Sequence, residues 1–163
     1  MTDKPKIVQV THAPTIRSAN PSDLEALLDL YQHLNPGDER CPPDLAQVSF
    51  ENLLQNAGSD IVLCDVDGVL VASCVLVVIP NLTRGGAPYG LIENVVTHNE
   101  YRGRGLGTLV LNAATEQAWK NNCYKVMLMT GSQKQSTLIF YENAGFEPSK
   151  TGFQKRKINK RTD

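Results

Sequence analysis

The chain has 163 residues, 41% hydrophobic and 20% charged, with a formal net charge of -1. That length and balance fit one globular domain over 1–163, with residues 1–13 as a flexible or edge segment. They announce no basic face for a nucleic-acid partner, and the longest apolar stretch, Val69 to Ile79, is broken by Ser73 and too short to span a bilayer.

The opening residues "MTDKPKIVQVTHAP" lack the apolar core of a signal peptide, so a cytoplasmic address is expected. A short strand is expected at Thr15 to Arg17, then a helix in "NPSDLEALLDLYQHL". Asn20 suits its cap, Pro21 its first position, and Leu24, Leu27, Leu28 and Tyr31 make one apolar stripe. "NPGDERCPP", residues 35 to 43, reads as a loop before a second helix ending near Asn56. "DIVLCDVDGVLVASCVLVVI" reads as a hairpin turning at Asp67-Gly68. A two-residue turn there places Cys64 opposite Val71, so Cys64 and Cys74 do not face each other. None of the four cysteines forms a C-x-x-C pair, which favours buried free thiols over a zinc or redox site.

After the long connection "PNLTRGGAP" comes a strand over residues 89 to 97. A helix follows from 105 to about 120, with Leu106, Leu109, Val110, Ala113 and Ala114 on one face. "YKVMLMT" reads as a strand, "QSTLIFYEN" as a helix stopped by Gly145, and "FEPS" and "FQKRK" as closing strands. The element order is β-α-α-β-β-β-α-β-α-β-β. It predicts an α/β (α+β) fold with a mixed sheet of about six or seven strands and about four helices, locally parallel at the strand-helix-strand crossover.

Between the strand at 89–97 and the helix that follows stand Gly103, Gly105 and Gly107, at every second position, with Arg102 and Arg104. A helix N-terminus leaves backbone N–H groups unpaired and carries partial positive charge. Glycines before it let the backbone bend and approach a ligand, which makes a cradle for a phosphate or diphosphate. Arg102 and Arg104 are candidates for additional charge-assisted bonds. A dinucleotide motif is excluded, because counting from Gly103 its third glycine position holds Thr108 and no acidic ribose partner stands in "KVMLM". A P-loop is excluded because no lysine precedes Thr108.

"ENVVTHNEYRGRGLG" resembles the acetyl-CoA-binding motif of the GCN5-related N-acetyltransferases (GNAT), Arg/Gln-x-x-Gly-x-Gly/Ala, met here by Arg102, Gly105 and Gly107. "FYENAGF", residues 140 to 146, resembles that family's second hallmark, and the element order agrees with it. The resemblance implies the acyl-CoA N-acyltransferase fold, acetyl-CoA as co-substrate, no metal, a small-molecule amine as acceptor and a homodimer. It also implies that the strand at 89–97 parts from its parallel neighbour and binds pantetheine and the acetyl group with the backbone of Val95, Val96 and Thr97. The amides of Arg102, Gly103, Arg104, Gly105, Leu106, Gly107 and Thr108 would then hold the diphosphate.

By the same resemblance Tyr141 protonates the departing thiolate. Glu93, a carboxylate in a strand expected to be central and therefore expensive to bury, is a candidate for accepting the amine's proton or orienting the acceptor. His98 is a further candidate relay. Lys134 stands where many relatives carry a cofactor-binding asparagine, and its ammonium would reach a phosphate instead. The glucosamine-6-phosphate N-acetyltransferases look like the nearest branch, but Met129 occupies the position where that branch has an acid. The phosphosugar is therefore an alternative acceptor, and a CoA-binding sensor without turnover an alternative of another class. Arg84, in the 80–88 loop, is a candidate to meet an acidic group of the acceptor, since selection of substrates lives in loops such as 35–43 and 80–88.

Overall fold

A two-residue turn sets the register of the sheet. Asp67 and Gly68 take φ of 51° and 79°, the pair of left-handed residues that a type I′ turn requires. They join β2 (Asp60–Val66) to β3 (Val69–Ile79). The computed structural model describes residues 12–157, and the chain divides into two compact units, Met1–Leu128 and Met129–Asp163. Most of the segment 1–13 therefore lies outside the described residues.

In the first unit β1 (Thr15–Ser18), β2, β3, β4 (Tyr89–Thr97) and β5 (Val126–Leu128) form one sheet in that order. The first three pairings are antiparallel and β4–β5 is parallel. Its helices are α1 (Leu24–Tyr31), α2 (Pro43–Gln55) and α3 (Leu106–Lys120). Cys64 pairs with Ala72 instead of the expected Val71, because Val71 is an extra, bulged residue of β3 opposite Cys64/Asp65. Cys64 and Cys74 are free thiols, as expected. The Cys74 thiol donates to the Val110 carbonyl at 3.4 Å, which puts its face of β3 against α3. Val75, on the other face, packs with Leu27 of α1, Phe50 of α2, Ile61 and Leu63. The sheet is thus covered by α1 and α2 on one side and α3 on the other. Each fully buried side chain such as Ile61, Leu63 or Leu76 contributes about 1.5–3 kcal/mol.

Asn20 caps a 3-10 turn, Pro21–Asp23, that runs into α1. Its side chain accepts the Ser22 N–H at 2.9 Å, and the Asp23 carboxylate accepts the Asn20 N–H at 2.7 Å. Asp23 also takes two bonds from Arg17, at 2.7 and 2.8 Å, while the Arg17 Nε reaches Asp65 at 2.7 Å. The cap therefore ties α1 to β1 and β2. The Arg17 guanidinium holds the Asp23 carboxyl below its ordinary value. A depressed carboxyl stabilises the fold above its unfolded pKa, and that contribution is lost as pH falls through the folded value. Asp23→Asn is expected to cost about 2 kcal/mol at pH 7 in urea unfolding. The gap from the native chain should narrow as pH falls from the ordinary aspartate value of about 3.9 through the lower folded value; parallel stability curves across that fall would remove the ion pair as its source.

The apolar faces differ in detail from the expected stripes. Leu30 is buried and Leu28 only half so. In α3 the face toward the sheet is Leu106, Gly107, Val110, Leu111, Ala114 and Ala118. Leu109, expected on it, is 38% exposed, and Ala113 is half-buried.

The second unit contains α4 (Gln135–Asn143), with the expected bounds. Gly145, at φ 86°, donates to the Glu142 carbonyl at 2.9 Å, and the Phe146 N–H bonds the Tyr141 carbonyl at 3.0 Å. These two bonds are a Schellman cap, so the "AGF" of "FYENAGF" is the physical stop of the helix. The closing strands expected at "FEPS" and "FQKRK" do not form: residues 146–157 contain no strand. Pro148 offers no N–H to a ladder. The described sheet has five strands rather than about six or seven, within the expected mixed α/β class.

Candidate active site

β4 and β5 part company midway. Gly90 pairs with Val126, Leu91 with Met127 and Ile92 with Leu128, where β5 ends. β4 runs on to Thr97, paired among the described residues only with β3 on its other edge. Alternate amides of Glu93–Thr97 therefore face an edge without a strand, the pattern to which an extended ligand adds as one more strand. Val95 and Thr97 are half-buried and Val96 is buried. At the parting point β4 bulges. Val75 pairs with Glu93 and Ser73 with Val96, so Asn94 and Val95 together oppose Cys74. Asn94 takes φ of 52°.

Glu93 is exposed, contrary to the expectation of a carboxylate buried in a central strand. The physical reason is the end of pairing at Ile92, one residue earlier. Its register with Val75 puts it on the sheet face that carries α1 and α2.

The glycine turn follows β4 through a short 3-10 turn, Asn99–Tyr101. Gly103 and Gly105 take φ of 75° and 77°, and a Cβ built on either meets no atom within 4 Å. Both face open space, so the demand for glycine is conformational on the protein's side and leaves room for a ligand on the other. Gly107 is different: it is buried within the first turn of α3. No side chain caps α3 and no acid stands in its first turn, so the amides of Leu106, Gly107 and Thr108 are the donors that an anion would meet.

The two arginines brace this turn. Arg102 donates from Nε to the Thr97 carbonyl at 3.2 Å and from its terminal nitrogen to the His33 carbonyl at 3.0 Å. Arg104 donates to the Glu100 carbonyl at 3.2 Å and lies 5.1 Å from the Tyr101 ring centre. His98 is engaged as well: its Nδ1 accepts the Glu100 N–H at 3.2 Å, and its ring stands 3.9 Å from His33 and 5.3 Å from Tyr101. Burial, then the neighbouring His33, pushes its pKa down. An imidazole held neutral, with its accepting nitrogen occupied, is a poor relay.

On the α1 face a cavity of about 170 Å³ is lined by Leu28, Tyr31, Asp38, Arg40, Cys41 and Asn94, among others. Arg40 is bonded to Asp29 and, at 2.8 Å, to Glu25. Tyr31 and Asn94 line the cavity together, and burial pushes the Tyr31 hydroxyl up to about 12. In the sequence Tyr31 reads only as part of an apolar stripe, and Asn94 has no expected role. The available signal was an asparagine, a residue that tolerates left-handed backbone, amid the valines of a strand.

The remaining predicted residues lie on other elements of the chain. Arg84 is exposed in the turn before β4, with its guanidinium 5.9 Å from the Tyr124 ring centre, at the opposite end of the strand from Glu93–Thr97. Tyr141 is half-buried on α4, its ring centre 4.9 Å from that of Phe140. Lys134 occupies the N-cap position of α4, exposed, with its N–H donating to the Ser132 Oγ at 3.3 Å. Among the described residues no group of three or more His, Cys, Asp or Glu is placed to hold a metal, and no helix is long and apolar enough to cross a membrane.

The model of the acetyltransferase (GNAT) family matches residues 24–146. The chain is 33% identical over 131 residues to the glucosamine 6-phosphate N-acetyltransferase of Trypanosoma brucei brucei, covering 80% of this chain and 87% of that protein. A solved structure from Agrobacterium tumefaciens str. C58 superposes with a TM-score of 0.83 at 45% identity, over 88% of this chain and 99% of that one. A solved Trypanosoma brucei acetyltransferase gives a TM-score of 0.75 at 29% identity, over 88% and 99% of the two chains. The family match spans the parted strands, the glycine turn and the capped "FYENAGF" helix end, and the chain is an N-acetyltransferase belonging to the acetyltransferase (GNAT) family.

Proposed function

We propose that this enzyme moves the acetyl group of acetyl-CoA to a primary amine of a small molecule by direct attack in a ternary complex. The observation that carries the reading is the parting of β4 from β5 after Ile92, directly upstream of an uncapped helix end opened by Gly103 and Gly105. The open space at those glycines fits a diphosphate held by main-chain amides from Arg102 to Thr108. Val95, Val96 and Thr97 present backbone to pantetheine and the thioester, with one N–H aimed at the oxygen that becomes negative.

An alkylamine is mostly protonated at neutral pH. Glu93, exposed beside the bulge on the α1 face, is proposed to take that proton, directly or through water. The free nitrogen then attacks the thioester carbonyl carbon, the carbon–sulfur bond breaks, and the thiolate is protonated. Tyr141 enters as the proton donor by its place in "FYENAGF", and Lys134 as a phosphate contact by its place before α4. Arg84 receives no role in the transfer.

The acceptor is read as reaching Glu93 from the cavity by Tyr31 and Asn94. A phosphosugar acceptor is the second reading, favoured by the Trypanosoma brucei brucei relative. Two observations weigh against it. Met129 stands in place of an acid, and Arg40 is already paired with Glu25 and Asp29.

A screen of acetyl-CoA consumption across polyamines, amino acids and amino sugar phosphates tests the function. Turnover with at least one amine is expected, and Glu93→Gln should then remove the acid limb of the pH–rate profile. No consumption with any amine, despite bound acetyl-CoA, would favour a sensor. An unaltered profile in Glu93→Gln would end the base role.

A further inference from the structure

We propose that His33, two residues past the end of α1, is a positioning residue for coenzyme binding: its imidazole and its carbonyl hold the turn that opens the glycine cradle. The inference rests on the reading of the amides from Arg102 to Thr108 as the seat of the diphosphate.

Three contacts join His33 to the connection between β4 and α3. Its Nδ1 accepts the Asn99 N–H at 3.5 Å, its carbonyl accepts a terminal N–H of Arg102 at 3.0 Å, and its ring centre stands 3.9 Å from that of His98. His98 holds the next residue in the same way, its Nδ1 accepting the Glu100 N–H at 3.2 Å. The 3-10 turn Asn99–Tyr101 is too short to pair its own first amides, and the two imidazoles supply the acceptors. His33 is fixed in turn from α1, where its N–H donates to the carbonyl of buried Leu30 at 3.0 Å. The chain runs from this turn directly into Gly103 and Gly105. No atom lies within 4 Å of a Cβ built on either glycine, so their placement depends on what holds the two ends, the turn and α3.

Both acceptors require neutral rings. An imidazole that accepts at Nδ1 carries its proton on Nε2, and a second proton turns Nδ1 into a donor facing an N–H. Two rings this close also repel each other when both are charged. Burial, and then His33, holds His98 toward the neutral form. Of the charged groups around the pair, Glu100 favours a cation on His98 and Arg102 opposes it. Arg104 lies over the Tyr101 ring, which meets the His98 ring edge-on at 5.3 Å. On α1 the carboxylates of Glu25 and Asp29 are taken by Arg40. Acid therefore releases the amides of Asn99 and Glu100, and coenzyme affinity falls as pH falls through the ordinary imidazole range, about 6.5.

Calorimetric titration with coenzyme A tests the inference. Asparagine keeps an acceptor oxygen near the place of the imidazole Nδ1 and does not titrate. At about pH 8, above the imidazole range, His33→Ala should weaken binding about fivefold or more, and His33→Asn should stay within about twofold of the native Kd. Between about pH 8 and about pH 5.5 the native affinity should fall at least about fivefold more than that of the double variant His33→Asn/His98→Asn. Titration of the coenzyme's own phosphate is common to both chains and cancels in that comparison. Native affinity in His33→Ala, a loss in His33→Asn equal to that in His33→Ala, or equal acid losses in the native chain and the double variant would each overturn the inference while leaving the proposed function in place. Failure of the native chain to bind coenzyme A at either pH would instead bring down the reading of the cradle and this inference with it.

Discussion

Gly105→Glu is expected to weaken acetyl-CoA binding by at least about 100-fold and leave the protein folded. The two halves of that result have separate causes. Gly105 lies at φ 77°, where any side chain costs about 1–2 kcal/mol. For a chain of this length that is about 2–8 °C in Tm. No protein atom lies within 4 Å of a Cβ there, so no clash adds to the strain. The loss of binding comes from what the side chain does outward. It occupies the approach to the amides of Leu106, Gly107 and Thr108 and sets a carboxylate against the diphosphate. At a separation of about 4 Å such repulsion is worth about 4 kcal/mol in partly screened surroundings. Gly105→Ala is the control, with the same backbone strain and little intrusion. Calorimetry should find its affinity within about tenfold of native. Equal losses in both variants would mean that backbone conformation, and not occupancy of the cradle, governs binding.

Tyr141→Phe is expected to lower kcat by about 100-fold or more, with acetyl-CoA affinity unchanged. The substitution removes the hydroxyl and keeps the ring. The Tyr141 carbonyl that closes the helix cap on Phe146 is main-chain, and the contact with the Phe140 ring keeps an aromatic partner. Helix α4 should therefore remain intact, and a rate loss in stopped-flow or steady-state assays would report the missing proton. Unchanged kcat would assign Tyr141 to packing.

What the sequence disclosed and what it concealed divide along a physical line. Local rules were readable: Asp67-Gly68 demanded a tight hairpin, Asn20 and Pro21 a helix start, and Gly145 a helix stop. Each is decided by two to four adjacent residues. What depended on the partner strand was not readable. The bulge at Val71, opposite Cys64/Asp65, moved the hairpin register by one residue, and no feature of "LCDVDGVLVA" separates a bulged from a regular pairing. Glu93 looked buried because a central strand was assumed to have two neighbours along its whole length, whereas β5 stops opposite Ile92.

The glycine-arginine turn shows both sides within a few residues. Its glycines were legible as a backbone requirement, although only Gly103 and Gly105 meet it with positive φ and Gly107 is buried. The arginines looked like phosphate ligands, but the carbonyls of His33, Thr97 and Glu100, some distant in sequence, take their donors. Tyr31 and Asn94, 63 positions apart, line one cavity, and nothing in either local sequence points to the other.

The most direct measurement is a crystal structure of the native chain with coenzyme A at saturating concentration. The diphosphate oxygens should lie within about 3 Å of main-chain nitrogens between Arg102 and Thr108, with pantetheine alongside Val95–Thr97. Coenzyme A seated elsewhere, or absent at that dose, would contradict the account.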